Sequence, residues 1–193
     1  MRTIQFNCDN EIVIKNSRFI CYLIKISNKD ITPYIDKIKN MHPKASHYCY
    51  GYIYNDIELC SDDGEPGGTA GMPILNVLKK ENLNYVLAVV VRYFGGIKLG
   101  AGGLVRAYTK AVSETIKLAQ YSFLVKGFKI RINFNYNDEK NVNYVLKDSL
   151  IVKKDYSDSI NYECLIDVEL LNKLNNYNTV ILEELYIEKI AKW

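Results

Sequence analysis

The chain lacks any long apolar run. None of its stretches approaches the ~18 consecutive apolar residues that a membrane-spanning helix requires. Residues 1–5 show no apolar segment behind a basic start, so no secretory signal is visible. The five cysteines form no CxxC pair and are odd in number, which argues against a zinc site or a disulfide framework. We therefore predict a soluble, cytoplasmic protein with reduced thiols and no membrane partner.

The chain also lacks a strong charge of either sign. Its net charge of +3 is too small to mark nucleic-acid binding by itself. The charge is uneven, however, because residues 1–121 carry 15 Lys/Arg against 11 Asp/Glu (+4), whereas residues 122–193 carry 10 against 11 (−1). A polyanion such as RNA would therefore prefer the first part of the chain.

Glycine is almost absent outside one part of the chain, since ten of the eleven glycines lie between Gly51 and Gly103. Glycine allows positive φ or close backbone approach, so such a cluster marks shaped loops. The first loop, residues 61–71, is acidic. The second, residues 95–103, lies between a predicted buried strand (residues 84–94) and a helix. We expect a functional site in this region.

Hydrophobic periodicity predicts two domains, residues 1–121 and 122–193, because glycine use ends and the pattern resets near Tyr121. In the first domain we expect Thr32 to cap a helix and Val105 to lie on the buried face of another. In the second domain the order strand-helix-strand-strand-helix-strand, ending in a strand at residues 186–190, is that of a ferredoxin-like fold. The overall class is α+β.

The loop at residues 95–103 has the composition of an anion-binding loop. Its backbone N–H groups can converge, the following helix adds partial positive charge at its N-terminus, and Lys98 adds a mobile cation. The alternative is a tight strand-to-helix turn, and the spacing matches neither the Walker A loop nor the dinucleotide fingerprint. The candidate phosphate-binding residues are Arg92, Gly95, Gly96, Lys98, Gly100, Gly102, Gly103 and Arg106. For Arg106 a solvated helix face is the alternative.

Arg92 interrupts the apolar sequence of a predicted buried strand. A buried guanidinium must be paired with an acidic side chain or contact a ligand. Its candidate partners are Asp62, Asp63 and Glu65, which we place in the same pocket. These three acids can bind a divalent cation or act as an acid/base pair, but carboxylates in such a loop more often accept from its own N–H groups. His47 and Cys60 could form a nucleophilic pair only with an orienting group and an oxyanion hole. We predict no catalytic residue, no metal and no cofactor.

Four separated motifs occur in one order in the chain. They are Ser17-Arg18-Phe19-Ile20; Ala45-Ser46-His47-Tyr48-Cys49-Tyr50; Ser61-Asp62-Asp63-Gly64-Glu65-Pro66 through Pro73-Ile74-Leu75; and Val91-Arg92-Tyr93-Phe94-Gly95-Gly96 through Leu99-Gly100-Ala101-Gly102-Gly103-Leu104. In these four motifs the chain resembles the YigZ/IMPACT family, and in its length and two-part layout it resembles the bacterial, two-domain members of that family. The resemblance implies an N-terminal α/β domain of the RNase PH, GHMP-kinase and ribosomal-protein type. It also implies a C-terminal ferredoxin-like domain similar to domain V of elongation factor G.

The resemblance further implies a link to translation, because both fold relatives contact RNA or the ribosome. We predict a non-catalytic, translation-linked regulator that binds RNA or the ribosome through the glycine-rich basic loop. One alternative is a phosphate-ester or nucleotide-processing enzyme that uses the same loop. Another is a protein-interaction module that regulates a stress-response kinase pathway, since eukaryotic family members restrain an amino-acid-starvation kinase. A protein partner in translation control belongs to that alternative.

Overall fold

The computed structural model describes residues 1–189, and the chain divides into two compact units, Met1–Ser122 and Phe123–Trp193. The protein is of the α+β class, as the sequence predicts. The strands that begin in the first unit are β1 (Arg2–Ile4), β2 (Cys8–Ile14), β3 (Ser17–Lys25), β4 (His47–Tyr54), β5 (Ile57–Ser61), β6 (Val86–Tyr93) and β7 (Tyr121–Phe134). Its helices are α1 (Thr32–Met41), α2 (Gly71–Lys80) and α3 (Ala101–Ile116).

The main sheet of the first unit has the antiparallel order β2-β3-β6-β4-β5, with β6 in the middle. Alternate residues of β6 enter two separate hydrophobic clusters. Val86, Ala88 and Val90 pack with α2 and α3, whereas Leu87, Val89 and Val91 pack with Ile38 of α1. Both faces of this strand are therefore buried, which explains its unbroken apolar sequence.

A tight β2–β3 hairpin fixes the start of the glycine-rich loop. Lys15 and Asn16 both adopt positive φ (45° and 63°), as a two-residue type I′ turn requires. Gly95 packs directly against this turn, because a Cβ at position 95 would lie 2.1 Å from the carbonyl carbon of Asn16. The N–H of Gly95 also donates to Oγ of Ser17 over 3.1 Å. Position 95 is thus a glycine for packing reasons.

The second unit forms one antiparallel sheet with two short helices. β7 begins with the last two residues of the first unit and is followed by α4 (Glu139–Val145), β8 (Leu150–Tyr156), β9 (Ile160–Asp167), α5 (Val168–Lys173) and β10 (Asn178–Lys189). The strand order is β10-β7-β9-β8. Val142 of α4 and Leu174 after α5 share one core cluster with alternate residues of β7 and β9, so one face of the sheet is covered.

Three details differ from the sequence expectations. Ile31, not Thr32, is the N-cap of α1, because its carbonyl oxygen accepts the first hydrogen bond of the helix, from the N–H of Ile35 at 3.1 Å. Val105 is 37% exposed, because α3 buries the stripe that starts at Leu104. The last strand starts at residue 178 rather than 186, and its mostly exposed residues give no alternating pattern from which to predict it. Ile190, the last residue of the predicted strand, lies outside the described residues.

None of the helices within residues 1–189 combines the length and the apolarity needed to cross a bilayer.

Replacing Gly95 by alanine should destabilise the first unit by roughly 1–3 kcal/mol or more, because the new Cβ must displace the Asn16 backbone. Gly67→Ala is the matched control, since a Cβ there meets nothing within 4 Å, and it should stay within about 0.5 kcal/mol of wild type. Urea unfolding of both variants gives the comparison. Equal stabilities would show that the close approach is not structurally important.

Candidate functional site

The candidate site begins with a row of three residues at one end of the main sheet. Arg92, near the end of β6, is the cross-strand neighbour of Phe19 in β3 and of His47 in β4. The guanidinium carbon of Arg92 lies 5.5 Å from the ring centroid of Phe19 and 5.6 Å from that of Phe94. The Arg92 side chain is 6% exposed, so its charge is almost fully removed from water.

Glu65, from the acidic loop between β5 and α2, supplies the counter-charge. Its Oε1 accepts two hydrogen bonds, one from Nη1 of Arg92 at 2.5 Å and one from the hydroxyl of Tyr108 at 2.8 Å. Nε2 of His47 lies 3.9 Å from the same oxygen. The Glu65 side chain is only 3% exposed. A buried carboxylate and a buried guanidinium thus stabilise each other, and breaking such a pair is costly.

One polar atom of this cluster has no partner. Nε of Arg92 is buried and makes no hydrogen bond within residues 1–189. The guanidinium has five N–H donors, and Glu65 accepts from one of its nitrogens. This atom is the one place in the cluster where a buried donor is left unsatisfied.

The two aspartates of the acidic loop accept hydrogen bonds from backbone N–H groups, Asp62 from its own loop and Asp63 from β4. The carboxylate of Asp62 accepts from the N–H groups of Gly68, Ala70 and Gly71, at the start of α2. Burial raises the pKa of Asp62, but these three backbone hydrogen bonds outweigh burial and hold it below its ordinary value. Asp63 accepts from the N–H of Tyr48 at 2.7 Å. Asp62 and Asp63 therefore shape the loop, and Glu65 alone reaches Arg92.

No three His, Cys, Asp or Glu side chains are grouped as metal ligands anywhere in residues 1–189.

The cysteines near the site are poorly suited to nucleophilic chemistry. Sγ of Cys49 lies 3.0 Å from the carbonyl oxygen of Asp62 and 3.3 Å from the Tyr108 hydroxyl, and burial raises the pKa of Cys49 to about 12. Burial, assisted by Asp62, also raises the pKa of Cys60. The Nδ1–H of His47 donates to the carbonyl of Asp63 rather than to a thiol. A nucleophile requires a thiolate, which these surroundings disfavour.

The cationic part of the site lies at the surface. Lys98 and Arg106 are both exposed, and neither makes an ion pair within the described part of the chain. Helix α3 starts after Gly100, which adopts a φ of 71° and, having no side chain, leaves the first N–H groups of the helix without a side-chain cap. Gly96, Gly102 and Gly103 lie in the same loop and first turn. Phe94 is 50% exposed and Ile97 is 45% exposed beside them.

The predicted site residues thus form two groups. Glu65 and Arg92 meet in the interior, and Asp62 and Asp63 stabilise the loop that carries Glu65. Lys98 and Arg106, by contrast, have no hydrogen bond to this interior group within residues 1–189. Sequence reasoning missed Tyr108 as a polar member of the cluster, because its position on the buried face of α3 indicated only packing.

The family model and the curated relatives that match the chain carry the same family name. The family model for the Impact N-terminal domain matches residues 15–116. The "IMPACT family member YvyE" of Bacillus subtilis (strain 168) is 40% identical over 180 residues, which are 89% of this chain and 82% of that protein. The "IMPACT family member YigZ" of Escherichia coli (strain K12) is 40% identical over 110 residues, 54% of each chain. A solved structure described as "Crystal structure of an hypothetical protein" superposes with a TM-score of 0.71 at 27% identity, covering 94% of this chain and 97% of that one.

Removing the buried guanidinium should be far more damaging than removing an exposed cation. Arg92→Ala leaves the Glu65 carboxylate buried and unpaired, so it should cost about 3–5 kcal/mol of unfolding free energy. Lys79→Ala breaks the exposed Lys79–Glu58 pair (2.7 Å) and should cost no more than about 1 kcal/mol. Denaturant unfolding measures both. Similar losses in the two variants would contradict a buried, structural pair.

Thiol titration should separate the cysteines by burial. At pH 8 the native protein should leave Cys21 and Cys49 unmodified by a disulfide reagent, because burial raises the pKa of each to about 12 and both are shielded. In denaturant all five thiols should react. Rapid modification of Cys49 in the folded protein, identified by peptide mass spectrometry, would instead indicate a reactive thiol at the site.

Proposed function

We propose, from the premise that the chain belongs to the IMPACT family, that it is a non-catalytic regulator linked to translation, acting in the cytoplasm. In this proposal it binds RNA or the ribosome through the loop at residues 95–103 and the start of α3. The observation that carries the proposal is a separation of charge. Glu65 is buried against Arg92, and Asp62 and Asp63 accept hydrogen bonds from backbone N–H groups, whereas Lys98 and Arg106 remain exposed and unpaired within residues 1–189.

The chemistry of the loop suits phosphate groups. Exposed lysine and arginine side chains neutralise phosphates and release counterions, which provides affinity without reading a sequence. Uncapped N–H groups at the start of a long helix add a preference for negative charge. Arg92, although among the predicted phosphate-binding residues, is held by Glu65 in the interior, so the proposal assigns it the role of supporting the loop.

We also propose finer assignments for the two parts of the chain, as domains 1–121 and 122–193. The second would be ferredoxin-like and similar to domain V of elongation factor G. Its element order β7-α4-β8-β9-α5-β10, its strand order β10-β7-β9-β8 and its helices on one face support this assignment. The first would be of the RNase PH, GHMP-kinase and ribosomal-protein type, for which the family resemblance is the support.

One observation favours a second function, that of a protein-interaction module in translation control. Phe94 and Ile97 are large apolar side chains that remain about half exposed directly beside the basic loop. Exposed apolar residues within a polar rim are typical of protein contact sites. The same loop would then bind a protein partner, and the experiment below distinguishes it from RNA.

Lys98→Ala should weaken binding of labelled single-stranded RNA, and of purified ribosomes, without lowering thermal stability, because the exposed side chain makes no hydrogen bond or ion pair within residues 1–189. Loss of one phosphate contact should also reduce the salt dependence, by about 0.7 in the slope of log affinity against log salt for a single strand. Lys80→Ala is the matched control, because Lys80 is an exposed lysine at the C-terminal end of α2, the end farther from the acidic loop, and this variant should bind as wild type does. Titrations at several salt concentrations give both quantities.

Two results would each reject RNA binding by this loop. Wild type that binds neither RNA nor ribosomes is one, and equal RNA affinity in wild type and Lys98→Ala is another. Ribosome binding that is insensitive to salt but lost in Phe94→Ala would favour the protein-interaction function instead. Turnover of a phosphorylated small molecule that disappears in Lys98→Ala would favour the enzyme alternative.

A further inference from the structure

A cleft of about 440 Å³ opens on the first unit between α1 and the β2–β3 hairpin, away from the acidic loop. Small-molecule sites commonly measure ~300–1,000 Å³ and combine apolar walls with a few polar groups. Here α1 contributes Tyr34, Ile38 and Met41, and the hairpin contributes the ring of Tyr22. The walls can therefore hold a flat apolar or aromatic group.

The Tyr22 side of the cleft is held in place by a chain of hydrogen bonds. The Tyr22 hydroxyl lies 2.7 Å from Nε2 of His42, and Nδ1 of His42 lies 2.9 Å from the hydroxyl of Tyr93. The Tyr48 hydroxyl donates to the backbone oxygen of His42 and holds that residue as well. The Tyr22 ring is thus ordered before any ligand arrives, which lowers the entropy cost of binding against it.

Three polar groups line the cleft without a partner. Asp9 stands on the hairpin wall, and Lys37 and Tyr34 stand on the helix wall. Asp9 and Lys37 are exposed to solvent and Tyr34 is partly buried, and none of the three side chains makes a hydrogen bond or an ion pair with any residue from 1 to 189. The carboxylate and the ammonium group cancel in charge, and the nearby Glu11 is already paired with Arg18 at 2.7 Å. The cleft offers a strong acceptor and a strong donor but no net charge.

We propose that this cleft binds an uncharged purine nucleoside of the guanine type, with the base against the tyrosine walls and its N–H edge on Asp9. Guanine carries two adjacent donors, N1–H and the N2 amino group, that a single carboxylate can accept together. Hydrogen bonds to an ionised group are about twice as strong as neutral ones. Lys37 donates to the base carbonyl. Aromatic side chains and Met41 suit the faces of a base.

Because the charges of the cleft cancel, we expect it to bind an uncharged nucleoside more tightly than a nucleotide. Binding of phosphate uses several converging cations, and this cleft has only Lys37, with Asp9 repelling added negative charge. A monophosphate should therefore bind more weakly than the nucleoside. This site and the basic loop at residues 95–103 are different surfaces, and the inference does not depend on RNA binding.

Isothermal titration with guanosine tests the site, using 1-methylguanosine and guanosine monophosphate as comparison ligands. Asp9→Asn should weaken guanosine binding at least tenfold, whereas Asp36→Asn, which removes an exposed acid of α1 outside the cleft, should change it less than twofold. Tyr34→Leu should weaken binding at least threefold, because it keeps an apolar side chain but removes the aromatic ring. Thermal melting of each variant confirms that it is folded.

Four outcomes would overturn the proposal. They are no binding of guanosine at millimolar concentration, equal affinity for 1-methylguanosine, tighter binding of the monophosphate, and unchanged binding in both folded Asp9→Asn and Tyr34→Leu. Binding that meets the expected order of ligands and variants supports it.

Discussion

The geometry at the end of the first sheet depends on one buried ion pair, between Glu65 and Arg92. The guanidinium of Arg92 points into the protein from a central strand, where an unpaired charge would be very costly. Glu65 must therefore reach it, and this requirement fixes the position of the acidic loop. Tyr108 connects the same oxygen of Glu65 to α3, and the cross-strand neighbours of Arg92 connect it to β3 and β4. A single carboxylate oxygen thus ties together elements that are distant in sequence.

The same interaction explains how charge is divided between the interior and the surface. Glu65 pairs with Arg92, and Asp62 and Asp63 accept hydrogen bonds from backbone N–H groups of the loop and of β4. Within residues 1–189 none of these three acids forms an ion pair with Lys98 or Arg106 of the basic loop and its helix. The basic loop is also held from the other side, because Gly95 packs on the Asn16 turn. Lys98 and Arg106 are consequently presented to solvent by a rigid base. The cysteines nearby, Cys49 and Cys60, are held as thiols, because burial raises the pKa of each.

Much of the fold could be predicted from the sequence, because buried strands and helices have recognisable patterns of apolar residues. The predicted buried strand at residues 84–94 contains β6, whose apolar run indicates burial on both faces. The family resemblance is confirmed by the match to residues 15–116. The need of Arg92 for a counter-charge could be predicted too, but not which acid supplies it, because the positive φ of Asp63 and Gly64 turns the loop and decides which side chain points inward. Most residues of β5 and β10 are exposed. Their sequences therefore lack the alternation of apolar and polar residues from which a strand can be predicted.

A double-mutant cycle on Glu65→Gln and Arg92→Met tests the central claim most directly. If the two side chains depend on each other in the interior, each single variant should lose several kcal/mol, because it leaves one buried charge alone. The double variant should then be more stable than the sum of the single losses predicts, with a coupling free energy of about 1–3 kcal/mol in denaturant unfolding. Losses that add to within about 0.5 kcal/mol would mean that the two residues act independently, and the ion pair would not organise this site.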